Sequence, residues 1–234
     1  MWKKRVPGIR RISPAPASRR TASLTASFSN CADPGAVSWA GGSAGGTDHI
    51  TVGLLAKAAD IREEVLNFIP QFRPFMPYPK YANLYNNTWD AFPLSVFQGE
   101  HIEMSKDQLA INIAPLVAMF RSKLPVSSST IAPLESEGHL RNVFVSRLIP
   151  GSVINPHRGW TPDYLRIHLC LAEDPGCRIT VGPVTRTWKT GQLLAFKDGG
   201  AHLHSVVHEG TQERIILSYD LSLKYLRQFI PALS

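Results

Sequence analysis

Cysteine is scarce in this 234-residue chain: Cys31, Cys170 and Cys177 are the whole set, and no two stand at a CxxC or similar metal spacing. That excludes a zinc-thiolate module. Two of the three fall in apolar, β-type runs, so the expectation is buried thiols in a reducing compartment, the cytoplasm. Long apolar runs are also missing: no stretch approaches the roughly 18 residues that a membrane-spanning helix needs. Acidic residues are absent from the first twenty positions, where Lys3, Lys4, Arg5, Arg10, Arg11, Arg19 and Arg20 supply much of the +7 formal charge. Aromatic residues are not interleaved with these cations, so no nucleic-acid partner is expected. A Ser-His-Asp or Cys-His signature for nucleophilic catalysis is lacking as well.

What is present is enough apolar sequence, 44% of the chain, for one sizeable core plus a tail. The division falls near residue 48. Residues 1–47 are rich in Arg, Ser, Ala, Gly and Pro and are expected to be disordered, because burial cannot offset their ordering entropy. Their basic, acid-poor composition fits either a transit peptide or a mis-assigned start. Residues 48–234 are expected to form one domain, mainly β with flanking helices. From Ile50 to Phe68 the positions Val52, Leu55, Ala59 and Leu66 repeat at helical spacing, with Pro70 as a stop. "MSKDQLAINIAPLVAMFRSKLP" predicts a second helix, with Ser105 as N-cap, a stripe of Leu109, Ile113, Leu116, Val117 and Phe120, and a kink or split at Pro115. Eight short runs follow, "NVFVSRLI", "SVINPH", "YLRIHLCL", "CRITVG", "VTRTW", "QLLAFK", "HSVVH" and "RIILSYDLS". Each is bounded by turn-forming residues, the pattern of a sandwich or barrel-like β-fold. "VGPV" and the Thr-Gly at 190 and 191 mark two of the turns.

Period-two geometry sorts these strands. Tyr164, Arg166 and His168 share one face of their run, opposite Leu165, Ile167 and Leu169; Arg214, Ile216 and Ser218 share a face of the last. An arginine in an apolar strand either lies at an edge and reaches water, or waits for an anion. His157 after a proline, with an Arg-x-His strand behind it, has the look of a metal site. Two residues on, however, where a carboxylate ligand would follow, stands Gly159.

Taken together, "VFVSRLIPGSVINPHRG", "LRIHLCL", "RTWKTGQLLAFKDG" and "HSVVHEGTQERIILSYDL" resemble, in order and spacing, motifs of the aspartyl/asparaginyl β-hydroxylase family, and "NTWDAFPL" resembles its upstream segment. The likeness covers about residues 85–222. It implies a double-stranded β-helix (jelly-roll, cupin-like) and a dioxygenase using Fe(II), 2-oxoglutarate and O2. The family has Gly in place of the third, carboxylate ligand of the usual facial triad, and Gly159 matches it. The implied metal ligands are then His157 and a later histidine. Arg214 matches the arginine that pairs with the distal carboxylate of 2-oxoglutarate, and Ser146, eleven residues before His157, matches the hydroxyl beside it. Arg166 and His168 match the Arg-x-His pair that reaches the metal-bound end of the co-substrate and the substrate's acidic group. Trp160 and Tyr164 are candidate pocket walls. For the second ligand, counting forward from "AFKDG" selects His202 and counting back ten residues from Arg214 selects His204. Strand parity favours His204, with His202 at the cavity mouth and His208 an exposed turn residue.

The implied reaction hydroxylates an amino acid, or an Asp- or Asn-like residue of a peptide or protein, with release of succinate and CO2. Family members that act on Asp or Asn in epidermal-growth-factor-like domains have an arginine where Tyr164 stands, and use tetratricopeptide repeats; no 34-residue period occurs here. A small substrate therefore competes with a protein. The alternative is a cupin-like protein that binds a metal or small anion without turnover, and Arg214 with Ser146 argues against it. A carboxylate at position 159 is expected to offer iron a third ligand. Oligomeric state is left open.

Overall fold

The computed structural model describes residues 38–40, 49–71, 89–95, 114–159 and 161–228. Two antiparallel sheets face each other in a double-stranded β-helix. In chain order the strands are β1 (Ser38–Ala40), β2 (Trp89–Ser95), β3 (Leu140–Leu148), β4 (Val153–His157), β5 (Tyr164–Ala172), β6 (Cys177–Val181), β7 (Val184–Thr187), β8 (Leu193–Phe196), β9 (His204–His208) and β10 (Arg214–Ser222). The larger sheet runs β1-β8-β5-β10-β3-β2 and the smaller β4-β9-β6-β7. All eight predicted strand segments are strands. Gly182 and Gly191 take the positive φ that the two predicted turns require.

Helices α1 (His49–Ala56), α2 (Ala58–Phe68), α3 (Ala114–Lys123) and α4 (Pro125–Ser136) precede the β-helix, and a short α5 (Leu223–Leu226) ends the described chain. Helices α2, α3 and α4 pack on the outer face of the larger sheet, and α1 packs on α2 and α4. Leu54, Ile61, Val65, Phe120 and Ile131 meet Leu165, Ile167, Leu169 and Leu217 there. The three rings of Phe68, Phe92 and Phe120 touch edge to face, with centroids 5.5–6.3 Å apart, and tie α2, β2 and α3 together. A second core of Leu148, Ile154, Cys170, Cys177, Ile179, Trp188 and Phe196 lies between the sheets. Both faces of β10 are thus covered, which is why Arg214 to Leu221 are all buried instead of alternating.

Several expectations change. The single helix over 50–68 is two, broken at Lys57, whose N–H is shared between the carbonyls of Gly53 and Leu54, and Ala59 is exposed. Pro115 lies in α3, which is described from Ala114 onward, so the expected kink or split there falls against residues outside the described ones. Ser105, Leu109 and Ile113 lie outside the described residues. Helix α4 was not expected from its serines. Pro125 opens it, and the Glu64 carboxylate of α2 accepts from the backbone N–H groups of Val126 and Ser127 and from the Ser127 hydroxyl. Strand β2 contains Pro93; among the described residues β2 ends its sheet, and its register shifts there, both of which suit a proline. Strand β1 lies within the stretch read as a tail and pairs with β8, Ser38 opposite Ala195; the rest of residues 1–47 lies outside the described residues.

Candidate active site

The alternation in β5 and β10 turns Arg166, His168 and Arg214 toward the space between the sheets. There they line one cavity with Ser146, His157 and His204. Its open space is about 430 Å³, part of it continuous with solvent. The six residues that the resemblance assigned to metal and co-substrate are brought together from β3, β4, β5, β9 and β10. Apolar side chains close the remainder, among them Phe144, Ile154, Phe196 and Val206.

His157 and His204 are cross-strand partners in the β4–β9 pair, and their rings lie 4.0 Å apart. A register shift between Ile154 and His157 creates this pairing, a bulge that re-aims the strand end into the cavity. His157 Nδ1 lies 2.8 Å from the Asn155 carbonyl oxygen, to which it donates, leaving Nε2 with a free lone pair. Burial lowers the pKa of His157 and pushes that of His204 down to about 3. Both imidazoles are therefore neutral near pH 7, the state a metal ligand needs. His202 is not in the cavity; its ring packs on the β6–β7 turn at Gly182. His208 is not an exposed turn residue either. It is buried, its Nε2 donating to the Gln212 carbonyl and its Nδ1 accepting from the Gly210 N–H. Asp174 completes that turn, its carboxylate accepting from the N–H groups of Gly176, Thr211 and Gln212.

Sequence reasoning missed Asp198. It lies two residues past the end of β8, its carbonyl accepts the Gly159 N–H at 2.8 Å, and its Oδ1 stands 3.0 Å from Arg166 Nη1 and 3.1 Å from His204 Nε2. The angles leave that oxygen without a well-formed hydrogen bond. Asp198 also explains Gly159: a Cβ there would fall inside the Asp198 carboxyl group. The space where a third carboxylate would start is already filled by one from another loop. The signal was the "AFKDG" segment, where a lone Asp follows a buried strand. Among the described residues, no three His, Cys, Asp or Glu are grouped as a ready metal cage.

Gly159→Asp cannot then add a ligand, contrary to the expectation from sequence. Gly159→Ala is expected to displace Asp198, loosening both Arg166 and His204. Metal affinity and turnover should fall together by roughly tenfold or more, the scale of losing an orienting partner, as checked by metal titration and succinate release. An alanine variant with unchanged metal affinity would show that Asp198 has no influence on the ligand.

Arg166 is held on two sides. Its Nε and Nη2 donate to Asp220 at 2.8 and 3.0 Å, and Nη1 faces Asp198. Burial works against its charge, but the two carboxylates prevail and raise its pKa. Its charge is thus already met, and it is not waiting for an acidic group of a substrate. Arg214 is the opposite case. It is 2% exposed, its Nε has no partner, its Nη1 donates to Ser146 Oγ at 3.4 Å, and its guanidinium sits 4.8 Å from the centre of the Trp188 ring. Burial lowers its pKa, partly offset by the thiols of Cys177 and Cys170. Ser146 also accepts from Trp89 Nε1 at 2.8 Å, so its own proton is available to a ligand. His168 is buried; burial first, then Arg214, Arg166 and His204, puts its pKa well below the ordinary histidine value. Tyr164 lies outside the cavity lining, with Arg141 over its ring at 4.4 Å. Trp160 lies outside the described residues.

Several relatives resemble part of this chain in sequence. Aspartate beta-hydroxylase domain-containing protein 2 of Mus musculus is 39% identical over 83 residues, which are 34% of this chain and 24% of that protein. Aspartyl/asparaginyl beta-hydroxylase of Mus musculus is 37% identical over 73 residues, 31% of this chain and 10% of that protein. The chain thus matches about a quarter or less of the length of these relatives. A solved structure from Burkholderia pseudomallei, an oxidoreductase of the 2OG-Fe(II) oxygenase family, overlaps at a TM-score of 0.35 and 18% identity, covering 57% of this chain and 66% of that one. The aspartyl/asparaginyl beta-hydroxylase family model matches residues 56–223, from the end of α1 to the start of α5 and through every strand of the cavity, and the chain belongs to that family.

Proposed function

We propose that this protein is an Fe(II)- and 2-oxoglutarate-dependent hydroxylase acting on an amino acid or on a residue of a peptide. The observation that carries the reading is Arg214: a buried guanidinium with an unpartnered Nε, beside a serine hydroxyl, in the cavity of the paired histidines. Leaving a cation so buried without an anion is costly, and a ligand carboxylate that accepts from Arg214 and Ser146 removes the cost. Iron would be held by His157 through Nε2 and by His204. Bound there, Fe(II) supplies O2 activation coupled to decarboxylation of the 2-oxo acid.

The chain's own residues do the rest. Arg214 and Ser146 fix the distal carboxylate of the co-substrate, and His168 and Arg166 face its other end. Asp198 pairs with Arg166 and stands against His204 Nε2. The apolar walls exclude water from the reacting atoms. Because Arg166 is spent on Asp198 and Asp220, a target residue without an acidic side chain suits this cavity better than aspartate.

The test is succinate release from 2-oxoglutarate with Fe(II), ascorbate and a panel of free amino acids and short peptides, aspartate and asparagine included. Stimulation by a panel member, with one hydroxylated product per succinate, supports the reading. Tight 2-oxoglutarate binding with no succinate under any condition would favour a cupin-like binding protein.

A further inference from the structure

Trp188, directly after β7, takes no part in the scheme above, yet it touches two of its parts. It is 1% exposed and is one of the largest fully buried side chains. Its Nε1 lies 3.2 Å from His168 Nδ1, the two rings are stacked at 28°, and the Arg214 guanidinium rests on its face. We propose that Trp188 is a positioning residue: it fixes the tautomer of His168, keeps that histidine out of the metal's ligand set, and carries the Arg214 guanidinium on its ring. The inference rests on the reading of Arg214 and His168 as co-substrate residues.

An indole N–H can only donate, so His168 Nδ1 must be the acceptor. With Arg166 and Arg214 nearby and the ring buried, the imidazole is neutral, and its one proton sits on Nε2. His168 therefore offers the cavity an N–H donor, suited to a carboxylate or keto oxygen. It has no free lone pair.

This matters because the cavity holds a third histidine. Phe196 packs on His204 with ring centroids 5.1 Å apart and on His168 at 5.3 Å, so all three imidazoles border one space. A His168 in the other tautomer would present an Nε2 lone pair and compete for the metal. The Trp188 hydrogen bond removes that option, and its ring face offsets the desolvation of Arg214 where no carboxylate does.

Trp188→Phe separates the two roles, keeping an aromatic face over Arg214 while deleting the N–H; Trp188→Leu deletes both. The full chain with ¹⁵N-labelled histidine, free of metal, reports the ring nitrogens of His168, assigned by loss of its signals in His168→Gln. Wild type should show a single tautomer with Nε2 protonated, and Trp188→Phe a mixture. By calorimetry with Mn(II), 2-oxoglutarate should bind Trp188→Phe roughly 3- to 10-fold more weakly, the worth of one hydrogen bond. Trp188→Leu should lose about tenfold more. In turnover, KM for 2-oxoglutarate should rise more than kcat falls. Wild-type tautomer and affinity in Trp188→Phe would overturn the proposal. Failure of wild type itself to bind 2-oxoglutarate would overturn the functional reading instead, and the ¹⁵N comparison would still decide what Trp188 does to His168.

Discussion

Arg214→Ala should weaken 2-oxoglutarate binding by roughly 2 to 4 kcal/mol, about 30- to 700-fold in Kd, while leaving metal binding intact. The size follows from burial. Arg214 is nearly inaccessible, has no carboxylate among its interactions and leaves Nε unpartnered, so the carboxylate it would bind is also withdrawn from water and loses its only full counter-charge on truncation. Arg214→Lys should recover part of the loss, since an ammonium restores the charge but neither the planar fork nor the stacking on Trp188. Ser146→Ala should cost less, about 1 kcal/mol, as it removes one hydrogen bond. Calorimetry with Mn(II) in place of iron measures all three. An alanine variant with wild-type 2-oxoglutarate affinity would mean that the guanidinium serves only the packing of Trp188.

His204→Ala should abolish turnover and lower metal affinity by at least roughly a hundredfold, since even partners that merely orient a ligand cost up to that much. His202→Ala should change metal affinity little. The contrast comes from register: His204 pairs directly with His157 across β4 and β9, whereas His202 packs on the β6–β7 turn. Replacing His204 also leaves Asp198 Oδ1 with one neighbour instead of two, so part of the loss should appear as a looser Arg166. Metal content after dialysis and fluorescence-detected Co(II) titration separate the two variants. Greater metal loss in His202→Ala than in His204→Ala would place the second ligand on the other histidine.

Local pattern was enough to determine the eight strands from β3 to β10 and the shared faces of Arg166 with His168 and of Arg214 with Ile216, since each depends on side-chain alternation within a single segment; the family rests on several segments resembling its motifs in order, and that resemblance supplied the ten-residue offset from Arg214 to His204. Elements whose stability is supplied from elsewhere were not legible. Helix α4 has a poor helical composition and is capped by Glu64 of α2; β2 carries Pro93 where, among the described residues, it ends a sheet; His208 is buried because Asp174 and Gln212 close around it. The same reason hid the central feature of the site. Gly159, Asp198, Arg166 and His204 come from four separate segments, and nothing local in any of them states that a glycine's missing side chain is the space an aspartate occupies. Only the closure of the two sheets brings that carboxylate between the arginine and the histidine, because through-space complementarity between distant segments leaves no periodicity for a single segment to display.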